Sequence, residues 1–211
     1  MVWPVRAALD FDRITPYLCV WHGYDTAAKA HLYSTCLLTS GGAYLIDPIP
    51  LQSKALDELI SSGGVAGIIV TNSNHHRVSA QFADQFSAPI FARCETFPDK
   101  TPSRFSSVAD GDKISDELRV IGIGGAATGE VVLHYAPNGG TLIVGDALIN
   151  FEPYGFAFLP GKYCSNQKQM RRSLRKLLDY KAERMLFAHG MPILSGAGER
   201  LRALLGDPKG D

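Results

Sequence analysis

The chain has 211 residues, 45% of them hydrophobic and 20% charged, and Lys+Arg and Asp+Glu both count 21, so the formal net charge is zero. No basic stripe offers a footprint for a phosphate backbone, which excludes nucleic acid as the expected partner, and no apolar run approaches membrane-spanning length. The opening Met1-Val2-Trp3-Pro4-Val5-Arg6 has no apolar signal core, and Cys19, Cys36, Cys94 and Cys164 are scattered without a C-x-x-C pair. Free thiols in a reducing cytoplasm are therefore expected. The size fits one domain, 1–211, with no linker and no short-period repeat.

In chain order, residues 18–21 form the first expected strand. Residues 32–38 and 43–46 form a pair around Ser40-Gly41-Gly42, where glycines supply the positive φ of a hairpin turn, and Asp47-Pro48 stops the second strand. Residues 53–61 place Leu56, Leu59 and Ile60 on one helical face, with Ser53 as N-cap and Gly63-Gly64 as terminator. Ile68-Ile69-Val70 is a buried strand that runs into Thr71-Asn72-Ser73-Asn74-His75-His76-Arg77, a polar turn whose Asn and Ser residues suit caps. Val78, Phe82 and Phe86 then recur at helical spacing, before a short strand at 90–92. The second half rhymes with the first. Strands are expected at 118–123, 131–135, 141–144 and 184–188, the longest helix at 165–180 with Met170, Leu174, Leu177 and Leu178 inward, and a closing helix at 198–205. The tail 207–211 reads as frayed.

Four strand ends carry polar groups: the 71–77 turn, the loop Gly124-Gly125-Ala126-Ala127-Thr128-Gly129-Glu130, Gly145-Asp146, and His189-Gly190. Polar residues just past apolar strands are how a sheet presents a site. Each has a bland alternative as cap, loop or turn residue, but four together point to one pocket.

In this order and spacing the four points resemble the metallo-β-lactamase superfamily, from the 32–47 hairpin to Gly190. The resemblance implies an α/β fold, an αββα two-sheet sandwich, and usually a dinuclear metal centre built on T-H-x-H-x-D-H, G-H-T-x-G-H, T-G-D and a final His before Gly. On this chain Thr71 matches. The two histidines of the first metal position become Asn72 and Asn74, the aspartate falls on His76, and the next histidine falls on Arg77. The histidine after T-x-G falls on Glu130, while Asp146 and His189 match directly.

Amide oxygens are poor zinc ligands and a guanidinium has no lone pair to give, so the first metal position reads as lost. His76, Asp146 and His189 remain as a two-histidine, one-carboxylate set for at most one divalent metal, zinc or similar. Arg77 opposes it: a divalent ion about 5 Å away at an effective dielectric near 20 meets roughly 7 kcal/mol of repulsion. The other reading needs no metal, with Arg77 paired to Glu130 or Asp146 and holding the strand ends together. The resemblance thus implies a hydrolase for a small ester, thioester or amide, with Glu130 or Asp146 as base, or a non-catalytic relative that binds a small-molecule ligand or a partner through the same crevice. A third reading is a metal-free enzyme with His75 or His76 as general base, although His75 also has the simpler reading of a surface turn residue. Asn72, Asn74, Arg77 and Tyr154 are the expected ligand-binding residues, and His22, His31 and His134 have ordinary structural roles. The aromatic run 151–163, with Phe151, Tyr154, Phe156, Phe158 and Tyr163, either closes over a ligand, packs against a second subunit in a homodimer, or fills the core.

Overall fold

The computed structural model describes residues 6–61 and 63–206; the expectations for the opening five residues and for the tail 207–211 fall outside them. Two sheets face each other, each backed by helices. The first sheet holds β1 (Asp12–Thr15), β2 (Leu18–Asp25), β3 (Ala30–Thr39), β4 (Gly42–Ile46), β5 (Val65–Ile69), β6 (Ile90–Ala92) and β7 (Phe105–Ser107), side by side in chain order. Its first three pairings are antiparallel and the rest parallel. The second sheet is built from β8 (Lys113–Ser115), β9 (Leu118–Gly122), β10 (Val131–Tyr135), β11 (Thr141–Val144) and β14 (Arg184–Phe187) in the order β14-β11-β10-β9-β8. Between β11 and β14 the chain forms a separate hairpin, β12 (Leu148–Phe151) with β13 (Gly155–Phe158). The αββα expectation holds.

Period-2 alternation assigns each strand's side chains to two layers. Leu18, Val20, Leu37, Tyr44, Ile46 and Ile69 of the first sheet meet Leu118, Val120, Val131, Leu133, Ile143 and Leu186 of the second. The intervening residues point outward. Cys19, Trp21, Leu45 and Ile68 take α1 (Ser53–Ile60) and α2 (Ser79–Phe86). Val132, Leu142, Val144 and Met185 take α3 (Gln167–Leu174) and α4 (Ala197–Leu205). Among the described residues no helix is long and apolar enough to cross a membrane.

Several local expectations change. Ser53 is the first helical residue rather than a cap, since Gln52 precedes the helix without a side-chain bond. The long helix at 165–180 is two pieces. Asn166 caps α3 by accepting from the Gln169 amide at 3.0 Å, and the chain then tightens into a 3₁₀ turn, Arg175–Asp179. Leu177 stays fully buried through that change, so the apolar spacing was read correctly while the helix type was not. Strands β1, β7, β8, β12 and β13 have no strong alternation to announce them; they exist because a neighbouring strand or hairpin turn supplies their partners.

Candidate active site

Strands β4, β5, β11 and β14 end at one edge of the sandwich and β10, antiparallel to β11, begins there, so Asp47, the 71–77 turn, Glu130, Asp146 and His189 converge at that edge. The turn is held by backbone bonds to the opposite sheet: the Val131 amide donates to Thr71 O at 2.9 Å and the Ser73 amide to Thr128 O at 2.9 Å. Asn72 bends it further, its Oδ1 accepting from the Asn74 amide at 2.9 Å, an Asx turn rather than a helix cap.

His75 sits at the centre, 2% exposed. Its Nδ1 lies 2.9 Å from Asp47 Oδ2 and 2.9 Å from Thr71 Oγ1. Asp47 also accepts from the Thr71 amide at 2.8 Å. On its other side His75 Nε2 stands 3.1 Å from Asp146 Oδ1, without the alignment of a hydrogen bond. His189 Nε2 stands 3.2 Å from the same oxygen. Asp146 Oδ2 is taken separately, by Asn74 Nδ2 at 3.0 Å. One ligand atom from each of His75, Asp146 and His189 lies within 4.8 Å of the others. Two imidazole nitrogens and a carboxylate oxygen that face one point, one of the nitrogens an orphaned buried atom, fit one divalent ion of the zinc, iron or manganese kind. Asp47 behind His75 completes a carboxylate–histidine arrangement that fixes the ring and its tautomer.

The electrostatics follow from that packing. Burial opposes protonation of His75, yet Asp146 and Asp47 raise it from 6.5 to about 9. Burial pushes Asp146 up, but His75 and the His189 hydrogen bond take it well below the usual carboxylate range. Asp47 is likewise pulled down against burial by His75, Arg77 and Thr71. Burial lowers His189, against the pull of Asp146.

Four expected roles move. Asn72, expected to bind ligand, is fully buried and outside the cavity lining, bonded instead to Glu130 Oε2 at 2.7 Å. His76 is not in the cluster. Its Nε2 meets Thr96 O at 2.6 Å and its ring stacks on Phe97 with centroids 4.3 Å apart, so His75 takes the place expected for it. Arg77 does not pair with Glu130 or Asp146: Nη1 donates to Tyr33 O and Asp47 O, each at 2.6 Å. It therefore ties the strand ends together through carbonyls rather than carboxylates. Asp47 and Arg77 both hold positive φ, 48° and 41°, a strain that persists only because these contacts over-determine it. Arg77→Ala is expected to destabilise the fold by about 3–5 kcal/mol, because two carbonyls and the buried Asp47 lose their cation, while leaving metal stoichiometry unchanged. Chemical denaturation with parallel elemental analysis checks this. Glu130, expected as a base, is 1% exposed and does not reach the cavity. Burial and the nearby Asp146 push its carboxyl up to about 8.

A cavity of about 680 Å³ opens above the cluster. Asn74, His75, Arg77, Asp146 and His189 are its polar floor, and Ile49, Ile149, Phe151, Tyr154, Leu159 and Tyr163 are among its walls. The aromatic run divides: Phe151, Tyr154 and Tyr163 line the cavity, whereas Phe156 and Phe158 pack on the core beneath α3 and against Phe187. Its crevice and core readings are each right for part of it. His134 is structural as expected, bonded to Lys181 O at 2.9 Å. Asp47 was missed, although an Asp immediately past a strand was the same signal that marked Asp146.

A family model for the metallo-β-lactamase superfamily matches residues 12–207. None of the curated proteins compared with the chain matches it. Among solved structures, DIM-1 metallo-β-lactamase is similar with 16% identity and a TM-score of 0.74, over 95% of this chain and 98% of that one. A metallo-β-lactamase from Pontibacter korlensis is 17% identical with a TM-score of 0.73, over 93% and 98%. FIM-1 from Pseudomonas aeruginosa, in its mono-zinc form, is 13% identical with a TM-score of 0.69, over 96% and 94%. Strand order, the gathered strand ends and the family match agree: this chain belongs to the metallo-β-lactamase superfamily.

Proposed function

We propose that the protein is a hydrolase of small esters, thioesters or amides that works with one divalent metal held by His75, Asp146 and His189. The observation that carries this reading is the convergence of those three donors on one point at the floor of the cavity. That one solved relative is described in a mono-zinc form agrees with a single ion. Such an ion supplies Lewis acidity to a carbonyl group and to water.

The remaining work belongs to the chain. Asp47 accepts the Nδ1 proton of His75 and so turns Nε2 toward the donor point. Asn74 holds Asp146 Oδ2, which leaves Oδ1 to face the two histidines. Asp146 is the carboxylate of the donor set, so proton acceptance during hydrolysis is assigned to its Oδ2, where the Asn74 amide steadies the charge. Phe151, Tyr154, Leu159 and Tyr163 hold the apolar body of a substrate and exclude water.

Zinc titrated into chelator-treated protein is expected to bind at one ion per chain, with binding lost in His189→Ala. Hydrolysis of p-nitrophenyl and thioester probes should appear with the ion and vanish with it. A wild-type protein that takes up no zinc, cobalt or manganese overturns the proposal. The second reading is a ligand-binding relative that uses no metal. It is favoured by one observation, that His75 stands 2.9 Å from Asp47 and 3.1 Å from Asp146, so that when protonated it supplies a cation to both carboxylates.

A further inference from the structure

Glu130 is a buried carboxylate that lies beneath the cavity rather than in it, yet it is bonded at both oxygens. Oε1 accepts from the Asp146 amide at 2.8 Å and the Ala147 amide at 2.9 Å, and Oε2 accepts from Asn72 Nδ2 at 2.7 Å. Asn72 belongs to the turn after β5, and Asp146 and Ala147 belong to the turn after β11. The carboxylate therefore joins the loop that delivers His75 to the loop that delivers Asp146. The joint is closely packed: a Cβ on Gly145 would lie 2.8 Å from Glu130 Oε1, 3.0 Å from Asn72 Nδ2 and 2.6 Å from Thr71 Oγ1. No atom fits between the strut and the backbone it holds, which is why glycine precedes Asp146.

We infer that Glu130 is a positioning residue: with Asn72 it forms a fixed strut that sets Asp146 against His75 and His189. Three hydrogen bonds to one buried carboxyl group are directional, and two of them grip the backbone of the ligating residue and its neighbour. A side chain free to change rotamer cannot substitute for them. Asn72 in turn is oriented by the Asn74 amide on its Oδ1, so its Nδ2 faces Glu130 Oε2 at 2.7 Å, with His75 Nδ1 farther off at 3.4 Å. The strut thus also bears on Asn74 and, through it, on Asp146 Oδ2. This assignment rests on the one-metal reading for its effect on affinity, but not for the strut itself.

The test uses Glu130→Gln, which keeps the volume and one acceptor but sets an amide donor against the Asn72 amide. Its partner is the double variant Asn72→Asp/Glu130→Gln, which restores an amide–carboxylate pair in reversed order. Zinc affinity is expected to fall about 10–100-fold in the single variant, as for loss of a group that orients a ligand, and to recover in the double. In zinc-free protein the Asp146 and Ala147 amides should lose hydrogen-exchange protection in the single variant and regain it in the double. A merely structural Glu130 would lower thermal stability in the single variant while leaving zinc affinity as in wild type, and that result overturns the inference. So does unchanged protection of the two amides, or a folded double variant that recovers neither readout. If wild type binds no zinc, the metal reading falls while amide exchange still decides the strut.

Discussion

His75→Ala is expected to abolish zinc binding and to cost about 3–5 kcal/mol of stability, the scale for removing one partner from a buried ion pair. The imidazole stands between Asp47 and Asp146, which are themselves 2% and 6% exposed, so its removal leaves two buried carboxylates without the ring that lies 2.9 Å from one and 3.1 Å from the other. His76→Ala is the matched control. It loses a ring stack on Phe97 and one bond to Thr96 O, a smaller cost of about 1–2 kcal/mol, and leaves zinc stoichiometry at one. Isothermal titration and urea unfolding on the two variants read both numbers. Zinc binding that survives in His75→Ala and disappears in His76→Ala would reverse the assignment of the two neighbours.

In chelator-treated protein, stability is expected to decline as pH rises from about 6.5 to about 9. His75 has a folded-state value raised from 6.5 to about 9, so its contribution is complete below 6.5 and is lost as the proton leaves through 9. The span corresponds to roughly 3 kcal/mol. Glu130, raised from 4.5 to about 8, acts in the same direction over its own range. Asp146 and Asp47 have depressed values, so their contributions are lost only in acid, as pH falls through those values. An ion at the cluster must displace the His75 proton, so zinc affinity should rise by about tenfold per pH unit between 7 and 9, and the alkaline loss of stability should vanish in the loaded protein. Urea midpoints that stay flat from pH 6.5 to 9 without metal would remove the protonated His75 from the account.

The sequence by itself determined a good deal. Strands β6, β10 and β11 match their expected bounds, because short apolar or β-branched runs bounded by turn residues leave no other period to satisfy. The gathering of the 71–77 turn, Glu130, Asp146 and His189 at one edge was also expected, since the turn, Asp146 and His189 each follow an expected strand and Glu130 lies in the loop between two. What the sequence could not determine is direction. A strand fixes alternate faces, but a turn has no period, so two adjacent histidines cannot be told apart by counting. His75 enters the cluster and His76 leaves it because Thr71 and Asp47, 24 residues apart, lock the His75 ring, and because Arg77 takes a left-handed backbone to reach Tyr33 O. The same holds for charge partners. Opposite charges in a sequence suggest that Arg77 should seek Glu130 or Asp146, whereas the folded chain offers Arg77 two carbonyls and gives Glu130 two backbone amides and Asn72. Buried polar groups take whichever partner the backbone brings within about 3 Å, and only the tertiary structure decides which that is.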